Sequence, residues 1–259
     1  MSLAITVITP EGIVQAADSR VSIPMNIRDG VLSYSSLDHA TKLLAFESPN
    51  THISVATYGA GTIGARTAHS FTKEFQETLT LNKLTVKSFA KKLQDFYKAR
   101  WDEIEDNPQT SPMIFQVAGI NSSQQFGELY VVSIPGEDPP QKVISDGEFS
   151  LYYGGDKYVV ERIIQGRDLR IDTKIIEDES LNDAHTVLGS IFDEIANTHM
   201  LPIGSYALQD AIDLARFLID TTSKMQKLSL NIKTVGGAID VSCVTKNGNH
   251  KVISKKEIG

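Results

Sequence analysis

Cysteine is almost absent from this chain of 259 residues, which contains one, Cys243. A single cysteine cannot form a disulfide within the chain, so a reducing, cytoplasmic setting is expected. Long apolar runs are also missing, because no stretch reaches the roughly 18 apolar residues that a membrane helix needs. The first residues carry no charged segment followed by an apolar one. We therefore expect no signal peptide and no membrane partner.

An excess of basic residues is missing too. The net charge is −7 and no basic cluster with interleaved aromatic residues occurs, so a nucleic-acid partner is not expected. The six histidines are scattered, and none stands at metal-ligating spacing from another histidine or from Cys243. The sequence therefore predicts neither a metal site nor a cofactor. Its content of 41% hydrophobic and 22% charged residues is ordinary for one globular domain over residues 1–259.

The apolar pattern opens with a hairpin. Leu3–Ile8 is mostly apolar and β-branched, residues 10–12 predict a turn, and Ile13–Ala17 predicts a second strand. Two further apolar runs, Lys42–Phe46 and Ile53–Tyr58, predict a second hairpin. Strands that follow one another through short turns pair antiparallel, so largely antiparallel sheets are expected.

Further along, the apolar residues recur three and four apart, which is typical of helices. Helices are predicted at Ile63–Leu79, Val86–Ile104, Asp156–Ile164, Asn182–Thr198 and Ser205–Leu228. Strands are predicted at Met113–Ile120, Gly127–Ile134, Lys142–Ser145, Ala238–Thr245 and Lys251–Ile253, the last two joined by a turn at Asn247-Gly248. Because helices come in pairs and strands in hairpins, we expect an α+β fold in which two stacked sheets are covered on both outer faces by helices.

The first twenty residues resemble the opening strands of proteasome β subunits and of their bacterial relatives, including the Anbu family. The resemblance rests on Ser2–Ile8 and on Gly12–Arg20, which ends in Asp18-Ser19-Arg20. In that family a nucleophilic Thr opens the first strand, and the match places Ser2 at its position. The resemblance implies a four-layer αββα sandwich of the N-terminal-nucleophile (Ntn) hydrolase type.

Later segments continue the resemblance in the same order. Thr41–Phe46 is similar to the strand with the family's catalytic lysine, which would be Lys42. Ala56–Gly61 is similar to the strand with the oxyanion-hole glycine, which would be Gly59. The other similar segments are Tyr153–Tyr158 (the Gly-rich loop before the third helix), Ala211–Ala215 (the late helix) and Thr234–Val241 (the strand after it).

Three positions depart from the family pattern. Ser2 stands in place of Thr, Asp156 stands where a Ser is expected, and residues 231–233 (Asn-Ile-Lys) occupy a region where the family often has an Asp. These departures bear on activity and not on the fold.

The resemblance implies a peptidase or amidase in which the Ser2 hydroxyl is the nucleophile and its own α-amine is the base. A free α-amine titrates at about 7.7–8.0 and so is partly neutral near physiological pH. This chemistry requires removal of Met1, which a small second residue favours. An expression remnant at residues 1–3 would leave the natural first residue unseen.

The resemblance also assigns supporting roles. The Lys42 ammonium would favour the developing alkoxide, Asp18 would hold that ammonium, and the Gly59 N–H would donate to the oxyanion. Arg20 would brace the site through its backbone and local ion pairs, and Asp156 would support it from the Gly-rich loop. A homo-oligomeric ring or open spiral acting on peptides or proteins is implied, and the sequence does not indicate whether an ATP-dependent unfoldase serves it.

Two alternatives remain open. A non-catalytic assembly subunit of the same fold is motivated by the missing late Asp. A dinucleotide-binding oxidoreductase is motivated by residues 59–64, Gly-Ala-Gly-Thr-Ile-Gly, which match G-x-G-x-x-G. A second predicted helix follows where that motif needs a strand ending in an acidic residue, so we interpret these glycines as a tight strand-to-helix turn.

Overall fold

The computed structural model of this chain describes residues 2–24, 34–105, 111–166, 168, 170–176, 186–191, 201–230, 232–247 and 250–256. Within these ranges the chain is a mixed α+β protein, and the paired strands run antiparallel. No helix in these ranges has both the length and the apolar character to span a lipid bilayer.

The strands are β1 (Leu3–Thr9), β2 (Gly12–Asp18), β3 (Val21–Pro24), β4 (Tyr34–Leu37), β5 (Leu43–Ala45), β6 (Ile53–Gly59), β7 (Thr62–Ile63), β8 (Arg66–Thr67), β9 (Met113–Gly119), β10 (Glu128–Ile134), β11 (Gln141–Ile144), β12 (Ser150–Gly155), β13 (Ile239–Thr245) and β14 (His250–Ser254). The helices are α1 (Thr72–Thr78), α2 (Val86–Asp102), α3 (Tyr158–Gln165), α4 (Arg170–Ile176), α5 (186–191) and α6 (Leu208–Lys227). Short 3₁₀ turns lie at Ala68–Phe71 and Ile203–Ser205.

The first sheet has the strand order β12-β1-β2-β13-β14, so that β1 is an interior strand and not an edge strand. β1 pairs with β2 on one side and with β12 on the other, which places Leu3 opposite Gly155. Helix α6 packs on β1, β2 and β13. Its buried positions Ala211, Ala215 and Leu218 lie four and three residues apart and so share one helix face.

The second sheet has the order β11-β10-β9-β6-β5, and α2 packs on β9 and β10. Buried Phe89, Leu93 and Tyr97 lie one turn apart along α2. The helix begins after Thr85, whose hydroxyl accepts a hydrogen bond from the Ser88 N–H and so caps the first turn. Further aromatic residues of this core are Phe46, Phe71, Phe75, Trp101, Phe115 and Tyr130.

The two sheets contact each other through small apolar and buried polar side chains. Ala4 and Ala17 of the first sheet meet Ala56 of the second. Beside them, the Thr6 hydroxyl donates to Gln116 Oε1 at 2.6 Å across the interface. A buried hydrogen bond between sheets is satisfied in one alignment, so this contact fixes how β1 lies against β9.

Most sequence-based elements are confirmed. The structure contains both predicted hairpins as β1–β2 and β5–β6, the predicted helices as α2, α3 and α6, and the predicted later strands as β9, β10, β11, β13 and β14. The strands β3, β4 and β12 and helix α4 were not predicted. Of the helix predicted at Asn182–Thr198, the structure describes residues 186–191, and these are helical. Gly248 of the turn predicted at Asn247-Gly248 lies outside the described residues.

One predicted helix is wrong over its first half. Residues 62–67 form the hairpin β7–β8, with a two-residue turn at Gly64-Ala65, and α1 begins only at Thr72. A glycine in a two-residue turn favours chain reversal over helix continuation. The glycines after Tyr58 therefore lead into a small hairpin, and their interpretation as a strand-to-helix turn is wrong as well.

Candidate active site

The centre of the site is the carboxylate of Asp18, the last residue of β2, which is 1% exposed. Its Oδ1 accepts hydrogen bonds from the Leu3 N–H at 3.0 Å and from the Lys42 ammonium at 2.7 Å. Its Oδ2 accepts from the N–H groups of Arg20 at 3.1 Å and Gly236 at 3.0 Å. These four hydrogen bonds hold the carboxylate in one orientation.

Lys42 precedes β5 on the second sheet and reaches the first sheet through its side chain. Its ammonium donates to Asp18 and, at 2.5 Å, to the backbone carbonyl of Arg20. Burial lowers the pKa of Lys42 below its ordinary value although Asp18 acts to raise it, and the charges of Lys256 and Arg20 lower it further. Lys42 is therefore a cation whose proton is held less tightly than that of a surface lysine.

Ser2 lies directly before β1 and is buried. Its hydroxyl donates to the same Arg20 carbonyl oxygen that accepts from Lys42, although at 3.5 Å this contact is long. The hydroxyl and the ammonium thus meet at one shared acceptor. The structure brings Ser2, Asp18, Lys42 and the backbone of Arg20 together. The resemblance to the family pattern had placed the same residues at one site.

A cavity of about 20 Å³ opens beside Ser2 and Lys42. Its other lining residues are Val21, Ala40, Thr41, Thr57, Tyr58, Ala60, Gly61, Thr67 and Ala68. Burial raises the pKa of Tyr58, so its phenol stays protonated and is no base. The Thr57 hydroxyl is buried and has no hydrogen-bond partner among the described residues. A volume of this size admits about one water molecule.

Gly59 ends β6, between Tyr58 and Ala60, which both line this cavity. Its φ is +89°, and a Cβ there would lie 2.2 Å from the carbonyl oxygen of Pro112. Any other residue would push β6 away from the segment before β9. Gly59 therefore lies at the border of the site, and its oxyanion role stays a prediction.

Asp156 contributes through its backbone. Its N–H donates to the Ser2 carbonyl oxygen at 2.8 Å. Its carboxylate accepts from the Thr234 hydroxyl at 2.6 Å and from the Gln226 amide at 2.8 Å. The preceding Gly155 has φ +103°, and a Cβ on it would lie 1.7 Å from the Ser2 carbonyl oxygen. The end of β12 therefore positions the Ser2 backbone. The Asp156 carboxylate links Gln226 of α6 to Thr234, which precedes β13.

The side chain of Arg20 points to a residue that the sequence interpretation missed. Its guanidinium pairs with both oxygens of Asp38, at 2.6 and 2.7 Å. This guanidinium lowers the pKa of the Asp38 carboxyl, and Asp38 in turn raises the pKa of Arg20. The bidentate pair orients the chain at Arg20, whose carbonyl oxygen then receives both Ser2 and Lys42.

Gly236 was also missed as a site residue. Its N–H donates to Asp18, and its carbonyl oxygen accepts from the Ser19 N–H at 3.0 Å. The signal that could have found it is the pair Gly236-Gly237, since a Cβ at Gly236 would lie 2.6 Å from the central carbon of the Arg20 guanidinium. Of the region with the missing Asp, Asn231 lies outside the described residues, as does Met1.

The described residues offer no group of three or more His, Cys, Asp or Glu side chains that could hold a metal ion. Cys243 is buried, and burial raises the pKa of its thiol, so it is not an activated nucleophile. The groups that the described site offers are a hydroxyl and a buried ammonium–carboxylate pair. Comparison with protein-family models gave no match, and comparison with curated proteins gave none either.

Proposed function

We propose that this chain is an Ntn peptidase or amide hydrolase of the proteasome β-like superfamily that works in a homo-oligomeric ring or spiral. The proposal includes a four-layer αββα sandwich. Its support is that the two sheets contact each other, that α6 packs on the first sheet, and that α2 packs on the second. Peptides or proteins are the proposed substrates.

One observation carries the functional proposal. A serine at the start of β1 shares a backbone acceptor with a lysine that is 6% exposed and paired with a buried aspartate. Buried ion pairs cost desolvation energy and are weak stabilisers, so a pair placed beside a hydroxyl and a cavity calls for a chemical explanation.

In the proposed reaction Ser2 is the first residue and its α-amine is free. The amine takes the proton of Oγ as Oγ bonds to the carbonyl carbon of the scissile amide. The Gly59 N–H donates to the oxyanion, and the Lys42 ammonium stabilises negative charge on the reacting oxygen. The amine passes its proton to the leaving nitrogen as the C–N bond breaks, and water then hydrolyses the ester at Ser2.

The decisive experiment compares Ser2→Ala with a matched control, Ser19→Ala, on a panel of short peptide amides with fluorogenic leaving groups. Ser19 is also buried, follows Asp18, and has a hydroxyl without a partner among the described residues. We expect Ser2→Ala to fold and assemble but to lose hydrolysis, and Ser19→Ala to retain it. Wild-type turnover in Ser2→Ala would overturn the proposal.

A second candidate is a non-catalytic structural subunit of the same fold. The cavity of about 20 Å³ and the 5% exposure of Ser2 favour it, because a substrate carbonyl needs access to the hydroxyl. Intact-mass measurement of the untagged protein separates the two candidates. A retained Met1 blocks the Ser2 amine and supports the structural subunit, while its loss supports the hydrolase.

The oxidoreductase alternative is not proposed. A dinucleotide site needs a parallel βαβ unit, whereas β6 pairs antiparallel with β5 and with β9. The glycines after Tyr58 lead into the β7–β8 hairpin.

A further inference from the structure

A second buried lysine lies close to the site, near the far end of the described chain. The side chain of Lys256 is 7% exposed and pairs with Asp240 of β13, which is 5% exposed, at 2.7 Å. The Lys256 N–H also donates to Asp240, at 3.0 Å. The ammonium then donates at 2.9 Å to the carbonyl oxygen of Ala40, two residues before Lys42.

The segment that carries Lys42 is therefore held at successive points. The Ala40 N–H donates to the Ser19 carbonyl at 2.9 Å, and the Ala40 carbonyl accepts from Lys256. The Lys42 carbonyl accepts from the Thr57 N–H at 3.0 Å. The first and third contacts use the backbone alone. The second is the one that depends on a side chain, and it links residues 216 positions apart.

We infer that Lys256, anchored by Asp240, is a positioning residue for Lys42: it fixes the Ala40–Lys42 backbone so that the Lys42 ammonium reaches Asp18 and the Arg20 carbonyl. The role of this contact in catalysis rests on the proposed function. The contact itself does not, because it concerns where Lys42 lies.

Charge gives the same pair a second effect. The charged groups that face Lys42 are Asp18 at the end of β2, Arg20 just after it, and Lys256 with its partner Asp240. Two buried ammonium groups repel each other, so Lys256 disfavours the protonated form of Lys42. Removal of the Lys256 charge is therefore expected to make Lys42 hold its proton to higher pH.

The test compares Lys256→Met with Lys256→Arg, which keeps the charge, and with Lys255→Met, which alters an exposed neighbour. Two quantities are measured: the titration of Lys42, followed by NMR of its side-chain Cε, and the kinetics of peptide-amide hydrolysis. In Lys256→Met we expect Lys42 to titrate at higher pH and kcat to fall on the order of 10²-fold with KM unchanged, the size expected for misplacement of a reacting group. Lys256→Arg is expected to restore most of both.

The control Lys255→Met is expected to match the wild type in both readouts. If Lys256→Met also matches it in both, the inference is overturned. If Lys256→Met does not fold, the pair is neutralised together in Asp240→Asn/Lys256→Met, which leaves no unpaired buried charge. The double variant is expected to show the same kcat loss and faster amide exchange at Ala40–Lys42, and wild-type values of both would overturn the inference.

Failure of the proposed function is recognised separately. If Ser2→Ala hydrolyses amides as the wild type does, the hydrolase assignment falls. The amide exchange at Ala40–Lys42 still decides the inference, because it needs no substrate and reports whether this backbone is held in place.

Discussion

Two buried Lys–Asp pairs among the described residues have almost equal geometry, and they differ in what surrounds them. Asp18–Lys42 and Asp240–Lys256 both have N–O distances of 2.7 Å and side chains less than 8% exposed. Their aspartates lie on neighbouring strands, β2 and β13, where Asp18 is opposite Ile239 and Asp240 is opposite Ala17. We call them the site pair and the anchor pair.

The site pair faces a hydroxyl and a cavity, and its carboxylate also serves backbone donors from three separate parts of the chain. The anchor pair also borders a cavity, of about 50 Å³, but Asp240 accepts from the N–H and the ammonium of one residue, and that ammonium donates to a carbonyl oxygen. Equal burial and distance therefore do not imply an equal role. In the proposed reaction the site pair acts, because its cation shares an acceptor with the Ser2 hydroxyl.

The largest effect that would sharpen this comparison is on stability. Asp18→Asn and Asp240→Asn each leave a buried lysine without its anion, which costs about 3–5 kcal/mol in the free energy of unfolding. An amide has one acceptor oxygen, so Asp18→Asn also leaves at least one backbone N–H unpaired, at a further cost of about 1–3 kcal/mol. We expect urea unfolding to show the larger loss for Asp18→Asn.

Equal losses of unfolding free energy in Asp18→Asn and Asp240→Asn would contradict this prediction, because the backbone N–H groups bound to Asp18 would then add nothing to stability. Should either single variant fail to fold, Asp18→Asn/Lys42→Met and Asp240→Asn/Lys256→Met serve in its place. In those double variants the difference from the backbone donors remains after both charges are removed.

The effect of intermediate size is the loss of stability at acidic pH. His69 and His250 line a cavity of about 50 Å³ next to Asp240, and burial lowers the pKa of both imidazoles. In the unfolded chain each binds its proton near pH 6.5, and in the folded chain only at lower pH. The unfolded state thus binds more protons in that window, so stability is lost as pH falls below about 6.5 and is complete above it.

We expect His250→Asn to reduce this loss between about pH 7.5 and 5.5, measured as the free energy of unfolding at each pH. His39→Asn, a change at an exposed histidine, serves as the control. If His250→Asn loses as much stability on acidification as the wild type does, His250 does not contribute to the acid sensitivity. The surroundings of the anchor pair would then be no more sensitive to acid than the other parts of the protein.

The smallest effect comes from an exposed Lys–Asp pair, Asp220–Lys224 on α6, which at 2.6 Å is as short as the buried pairs. Exposed pairs one helical turn apart stabilise by about 0.3–0.5 kcal/mol. We expect Lys224→Ala to cost no more than this in urea unfolding. A loss comparable to that of Asp240→Asn would show that distance, and not burial, governs these pairs.

Local sequence patterns predicted most of the fold. Alternation and β-branched residues predicted β1, β2, β5 and β6, and the three- and four-residue spacing predicted α2 and α6. The failures have local causes. The Gly-rich end of β12 resembles a loop, although its glycines are present because the Tyr58 ring and the Ser2 backbone approach them closely. Ile63 starts an apparently helical pattern, although the turn at Gly64 reverses the chain.

Part of the site could be predicted in the same way. Ser2, Asp18 and Lys42 were placed by resemblance to a family motif, and the structure brings them together. Asp38 stands in no motif, and the segment Thr234–Val241 did not show that Gly236 contacts Asp18, which is 218 residues away in the chain.

The sequence by itself determined the hairpins, the amphipathic helices and the residue types available at the start of the chain, because these depend on neighbours a few residues apart. Three contacts were decided by the tertiary structure alone. Asp18 accepts hydrogen bonds from distant donors, the Lys42 side chain reaches from the second sheet to the first, and Lys256 donates to the Ala40 carbonyl. Those contacts join residues far apart in the chain and exist only once the sheets are aligned. The physical reason is that a buried charge is tolerated where several distant partners converge on it.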